Sequence, residues 1–245
     1  MQHNLPTHLL LVTIVVFLAP IGCGGGTDVP GVPAASINEN GEDSNQPTGN
    51  SAAPATLTQE PQAGVSPAAA SRRESAAPEV VIKTNFGTLT VQLNTKKAPV
   101  TVDNFVTNYV EPGTYDGTIF HYLESNVMAC AGGYDAQLQA RPTHGAIFNE
   151  AHNGLKNKKG TIAMARHPDY VNSATSQFFF NLADNPSLDH VGTGEGQEYG
   201  YCVFGQITQG MDVLEKINQA QVADTGGFVN VTSPAVVIES ITRVK

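Results

Sequence analysis

The chain has 245 residues, 22 acidic against 13 basic, for a formal net charge of −9. That length holds one folded domain with appendages, and the charge argues against nucleic acid as a partner. Lys156, Lys158 and Lys159 form the one basic cluster, whereas phosphate binding needs concentrated positive charge.

The first feature in chain order is the apolar run Leu9–Ala19, too short to span a bilayer as a relaxed helix but suited to the core of a signal peptide. Pro20-Ile-Gly-Cys23 follows at once. A small residue before a cysteine, directly after such a run, has the form of a bacterial lipoprotein cleavage site, with Cys23 as the lipidated residue of the mature protein. Pro20 stands where leucine is usual, and no Lys or Arg precedes the run. Residues 24–78 are rich in Gly, Pro, Ala, Ser, Thr, Asn and Gln and contain no aromatic side chain. Such a segment buries too little apolar surface to offset its ordering entropy. It reads as a disordered tether of net charge −4, spanning about 40 Å as a flexible coil. The expected organisation is a leader over 1–23, a tether over 24–78 and a folded domain over 79–245 with a net charge of −5.

The domain opens with a hairpin pattern: Val80 to Ile82, a turn at Asn85-Phe-Gly87, then Leu89, Val91 and Leu93 alternating with polar residues. Ala98 to Val110 has Val102, Phe105, Val106 and Tyr109 at helical spacing, with Pro99 near the start. Short strands are predicted at Thr118–Leu123, Val127–Ala131, Thr161–Ala165, Gln177–Leu182 and Tyr201–Ile207. A second helix is predicted over Met211–Gln219, and a last strand runs from Val236 to Ile241. Many strands and two helices fit a closed or nearly closed β-barrel with helices over its ends. Cys130 and Cys202 lie in predicted strands and read as small, half-buried thiols rather than a bridge. With no CxxC spacing, neither a thioredoxin-like nor a thiolate zinc site is suggested, and the scattered histidines suggest no metal site.

Four sequence blocks are more specific. Ser173-Ala-Thr-Ser-Gln-Phe-Phe-Phe-Asn181, continuing to Leu188-Asp-His190, is preceded by Gly160-Thr-Ile-Ala-Met-Ala165 and followed by Val203-Phe-Gly205. Upstream stands Thr118-Ile-Phe-His-Tyr-Leu-Glu-Ser-Asn-Val-Met128. In content and order these blocks resemble the cyclophilins, peptidyl-prolyl cis-trans isomerases. The resemblance implies a mainly β fold, an eight-stranded antiparallel barrel capped by two helices. It also implies an activity that uses no cofactor and acts on proline-containing polypeptides. Nothing in the sequence points to an oligomer, so a monomer is expected.

Carried over residue by residue, the resemblance places Phe179 in the floor of a proline pocket, with Met128 and Leu188 as walls. Gln177 is placed against the substrate backbone, and Ala165 and Arg166 against the residues before proline. His121 belongs to the same block, and Tyr201 stands where many members have histidine. Four positions depart. Tyr122 replaces the arginine that donates to the prolyl nitrogen. Val127 replaces a pocket phenylalanine, Cys130 a glutamine supporting the arginine, and Ser187 an aromatic at the rim. Glu124-Ser-Asn126 replaces an apolar-Pro-Gly turn. The stretch from Phe120 to Gly132 is one residue longer than the pattern, so Met128 and Ala131 compete with Val127 and Cys130 for the phenylalanine and glutamine places. Neither register restores the arginine. Arg166 is the nearby basic residue that could stand in for it.

The chemistry asks for little. A peptide bond resists rotation by ~18–20 kcal/mol through amide resonance. Xaa-Pro bonds populate both isomers but exchange them slowly. Catalysis needs an apolar seat for the pyrrolidine ring and a donor to the nitrogen lone pair that reappears in the twisted amide. Exchanging the arginine for a neutral phenol is expected to cost roughly 10²–10³ in rate, by analogy with deleting an oxyanion donor. Val127 should loosen the hold on a proline ring by about 1–2 kcal/mol. Two readings follow: a weak isomerase exported to the cell envelope and anchored through Cys23, or a non-catalytic module that binds proline-containing segments.

Overall fold

The computed structural model describes residues 77–192 and 196–244; Cys23, the predicted leader and nearly all of the predicted tether lie outside them. Among the described residues ten strands form: β1 Glu79–Thr84, β2 Gly87–Leu93, β3 Thr118–Glu124, β4 Met128–Asp135, β5 Thr161–Met164, β6 Phe178–Asn181, β7 Val203–Gln209, β8 Val222–Thr225, β9 Phe228–Thr232 and β10 Ile238–Arg243. Eight of them make one antiparallel sheet in the order β10-β1-β2-β7-β5-β6-β4-β3. Its two ends meet where Gly117 N–H donates to Ile238 O (2.8 Å) and Phe120 N–H to Val236 O (2.9 Å). Closure removes the open edges that would otherwise template further pairing.

The interior follows from two-residue alternation. Val80, Ile82, Leu89, Val91 and Leu93 point inward to join Phe120, Ile162, Phe178, Phe180 and Phe204 in one core. The first helix, α1, begins at Pro99, where the missing N–H costs nothing, and runs to Asp103. Wider π-helical turns then carry it through Asn104–Val110. The expected inward stripe of Val102, Phe105, Val106 and Tyr109 is buried. The Glu150 carboxylate caps the start of α1, accepting from Val100 N (3.2 Å), Thr101 N (2.8 Å) and Thr101 Oγ1 (2.7 Å). The second helix, α2, spans Met211–Asn218 and buries Val213, Leu214 and Ile217 against the other end.

Strand positions follow the sequence expectation to within a residue or two, except that β4 runs four residues past the expected Ala131 to Asp135, and with one omission. The β8–β9 hairpin has no counterpart in the expected elements. Every residue of β8 is exposed, so no alternating pattern marks it; its one signal is Gly226-Gly227 between two short runs. The hairpin leans on β3 through Thr232 Oγ1, which donates to Phe120 O (3.1 Å). Its Phe228 ring meets Tyr134 at 4.7 Å. Cys130 and Cys202 are free thiols, fully rather than half buried, and burial pushes both up to about 12.

Candidate functional site

A second, smaller apolar cluster sits on the opposite face of the sheet from the core. It consists of Met128, Cys130, Ala163, Ala165, Phe179, Leu188, Tyr201 and Val203, with Tyr122, Val127 and Leu155 half-buried against it. Strand pairing builds its centre. Ala163 faces Phe179, Phe179 faces Cys130, and Cys130 faces Tyr122, one row across β5, β6, β4 and β3. Phe120 and Tyr122 are two apart and should share a face, yet Phe120 lies in the core and Tyr122 in this cluster. A β-bulge resolves the conflict. Phe120 pairs with Ala131 and Tyr122 with Cys130, so His121 is extra and turns the strand.

The same pairing settles the register of β4. Met128 and Cys130 face the cluster, while Ala129 and Ala131 face the core. Cys130, not Ala131, therefore stands beside Phe179. The Ser125-Asn126-Val127 turn closes the Glu124–Met128 pair, with Val127 N donating to Glu124 O (2.9 Å). Asn126 takes φ 60°, a left-handed conformation asparagine tolerates. Ser125 Oγ donates to Asn218 O (2.8 Å) and Asn126 N to Asn218 Oδ1 (2.8 Å), which fixes the turn on α2. Val127 O is held by Leu182 N and Asn185 Nδ2, both at 2.9 Å.

The polar groups are largely committed. Tyr122 Oη donates to Glu124 Oε2 (3.0 Å) and accepts from the Asn230 side chain. Burial and the Glu124 carboxylate push its phenol up to about 12, so it is neutral at physiological pH. Gln177 is half-buried. Its carbonyl accepts from Ala165 N (2.9 Å), and its side chain bonds to His121. Gly133 leaves room for that side chain, since a Cβ there would meet Gln177 Cδ at 2.7 Å. His121 is buried against Tyr134 (4.9 Å). Its place under Gln177 makes it a support for that side chain rather than a surface for substrate.

Two expectations require correction. Arg166 was expected to contact the residues before proline or to replace the lost arginine, but its side chain is buried. Its Nε donates to Gly200 O (3.0 Å), its η nitrogens to His167 O (2.9 Å), Pro168 O (3.0 Å) and Gly196 O (2.7 Å). Its guanidinium also lies 4.7 Å from the Tyr201 ring centroid. It latches two loops together with four of its five N–H groups on loop carbonyls. The open cleft over Phe179 is likewise covered: Met128, Ala163 and Phe179 have no exposure, and Leu188 and Tyr201 have 5% each. Tyr201 packs edge-on against Phe179 at 5.7 Å. Tyr122, Val127 and Leu155 are the half-buried side chains packed against this cluster. Sequence reasoning missed Asn230, whose backbone N–H donates to Asp224 Oδ1 (3.0 Å) while its side chain reaches Tyr122.

Residues 79–243 match the family described as cyclophilin type peptidyl-prolyl cis-trans isomerase/CLD. The chain belongs to this family. Peptidyl-prolyl cis-trans isomerase A of Dickeya dadantii is 44% identical over 167 residues, covering 68% of this chain and 84% of that protein. Peptidyl-prolyl cis-trans isomerase B of Escherichia coli is 41% identical over 163 residues, covering 66% of this chain and 98% of the relative. A crystal structure of a Cryptosporidium parvum cyclophilin type peptidyl-prolyl cis-trans isomerase superposes with a TM-score of 0.54 at 22% identity. It covers 69% of this chain and 98% of the other, and speaks for the cyclophilin fold alone.

His121 generates a pH prediction. Burial lowers its pKa to about 4, partly offset by bonds to the Ile119 backbone and Gln177. An unfolded histidine titrates near 6.5, so the unfolded state takes up the proton first as pH falls. Stability should be flat above about pH 7 and decline between about 6.5 and 4, by about 3 kcal/mol in all. Denaturant melts of the described domain across that range, with His121→Gln showing a shallower decline, check it.

Proposed function

We propose that this protein is a peptidyl-prolyl cis-trans isomerase of low activity, acting on Xaa-Pro bonds of exported proteins. The observation that carries the reading is the row Ala163–Phe179–Cys130–Tyr122, walled by Met128 and Leu188 and flanked by Gln177. It supplies an apolar seat for a pyrrolidine ring and a backbone partner beside it. Membership of an isomerase family supports the reaction class.

Two features support low activity. The phenol in the arginine's place has a single proton, and that proton is donated to Glu124. It stabilises the prolyl nitrogen only after leaving the carboxylate. The floor is also covered, so a prolyl ring reaches Phe179 only from a state in which the cluster has opened, and the apparent affinity falls by the fraction of that state. Together these features also favour the second reading, a module that binds proline segments without turning them over.

A protease-coupled assay with Xaa-Pro peptides separates the readings. Tyr122→Arg should raise kcat/KM by about 10². An unchanged rate would show that the missing guanidinium is not the defect. No acceleration by the unaltered protein at stoichiometric concentration removes the enzyme; peptide-induced NMR shifts at Phe179 would then leave the binding module.

Export and anchoring rest on the Leu9–Ala19 run and Cys23, which lie outside the described residues. Labelled palmitate should enter the full chain in a bacterial host and be lost in Cys23→Ala. Equal labelling of both chains would contradict the anchor.

A further inference from the structure

Beside Tyr122, which stands where the resemblance calls for a cation, this chain carries an anion. Glu124 ends β3 and pairs with Met128, a wall of the pocket. Its Cα is thus two strands and two residues from Phe179, about 12 Å away by standard sheet spacings. Its carboxylate is not folded away. The residue is half-buried, and the Tyr122 hydroxyl holds Oε2 at 3.0 Å, beside the pocket row. Among the described residues Glu124 makes no ion pair, although Lys156, Lys159, Lys216 and Arg243 each have an acidic partner. A second anion stands nearby. Asp224, on the hairpin that leans on β3, accepts the backbone N–H of Asn230, whose side chain reaches the same Tyr122. Arg166, the basic residue closest in sequence to the pocket, is spent on four carbonyls and a ring.

The direction of the substrate follows from the strand ends. Ala165 and Gln177 stand at one end of the β5–β6 pair, joined by Ala165 N to Gln177 O at 2.9 Å. Glu124, Met128 and Asn181 form the pairing row two residues further along the strands, on the other side of Phe179. A peptide whose residues before proline lie on Ala165 and Gln177, and whose proline lies over Phe179, leaves past Glu124. We infer that Glu124 is a specificity-determining residue of this site, selecting proline segments that carry lysine or arginine immediately after the proline. The inference rests on the isomerase reading for the seat of the proline, but its consequence for binding does not depend on turnover.

The test uses peptides Ala-Ala-Pro-Xaa-Ala with Xaa as Lys, Gln or Glu, and a second set with the same residues immediately before proline. Both kcat/KM and the peptide dissociation constant, by NMR titration, are read for the described domain in its full chain. At low ionic strength, Lys after proline should be favoured over Glu by about three- to tenfold. The ratio should shrink toward unity at about 1 M salt, where the screening length is about 3 Å. Glu124→Gln keeps a carbonyl acceptor for Tyr122 and removes only the charge, so it should bring the ratio to about 1. A ratio of 1 in the unaltered protein, a ratio unmoved by Glu124→Gln, or a preference confined to the position before proline would overturn the inference. If no peptide is turned over but the dissociation constants keep the Lys-over-Glu order, the isomerase reading fails and the selectivity of Glu124 stands.

Discussion

The site depends on one irregularity in strand pairing. A regular β3 would send Tyr122 into the barrel with Phe120 and leave the pocket face without a residue at the end of its row. The bulge at His121 reverses the alternation, so Tyr122 faces out while Leu123 turns inward. The bulge is tolerated because the displaced imidazole is not wasted. It is buried against Tyr134 and bonded to Gln177, and this fixes the side chain assigned to the substrate backbone. One extra residue in a strand therefore positions two groups of the pocket, one directly and one through a neighbour.

Around that frame the exchangeable protons are already spoken for. Tyr122 donates to Glu124, Arg166 donates to the carbonyls of two loops, and His121 is neutral through burial. What the cluster would offer a substrate on opening is mostly apolar: Met128, Phe179, Leu188 and the rim of Val127. A site of this kind gains from burying a pyrrolidine ring and offers little preorganised charge to a twisted amide. The change from arginine to a Tyr–Glu pair alters more than donor strength. It reverses the sign of the field at the pocket edge, in a domain that is already acidic.

Much of this was legible in the sequence, for identifiable reasons. Core strands such as Leu89–Val91–Leu93 and the stripe Val102, Phe105, Val106, Tyr109 announce themselves because one face is buried. The second cluster was legible as residue blocks to the extent that Phe179, Met128 and Leu188 share it. Side-chain commitments are not carried by sequence. Nothing in Ala165-Arg166 foretells that the guanidinium turns into the carbonyls of Gly196 and Gly200, because those acceptors come from a loop 30 residues away. The β8–β9 hairpin escaped notice because its exposed β8 leaves no hydrophobic period to read, and Asn230 went with it. The register of β4 could not be chosen from spacing alone. It took the Cys130–Phe179 pair to decide it.

The central claim is that the cluster over Phe179 opens to seat a prolyl ring with no guanidinium beside it. The most direct measurement is an intermolecular NOE experiment on the domain, with specifically labelled Phe179, Met128 and Leu188 and an Ala-Pro-containing peptide, run together with exchange spectroscopy on the peptide. The account predicts contacts from the pyrrolidine protons to all three side chains, and cis–trans exchange above the uncatalysed rate. A saturating peptide that touches none of the three, with Phe179 unperturbed, would contradict it.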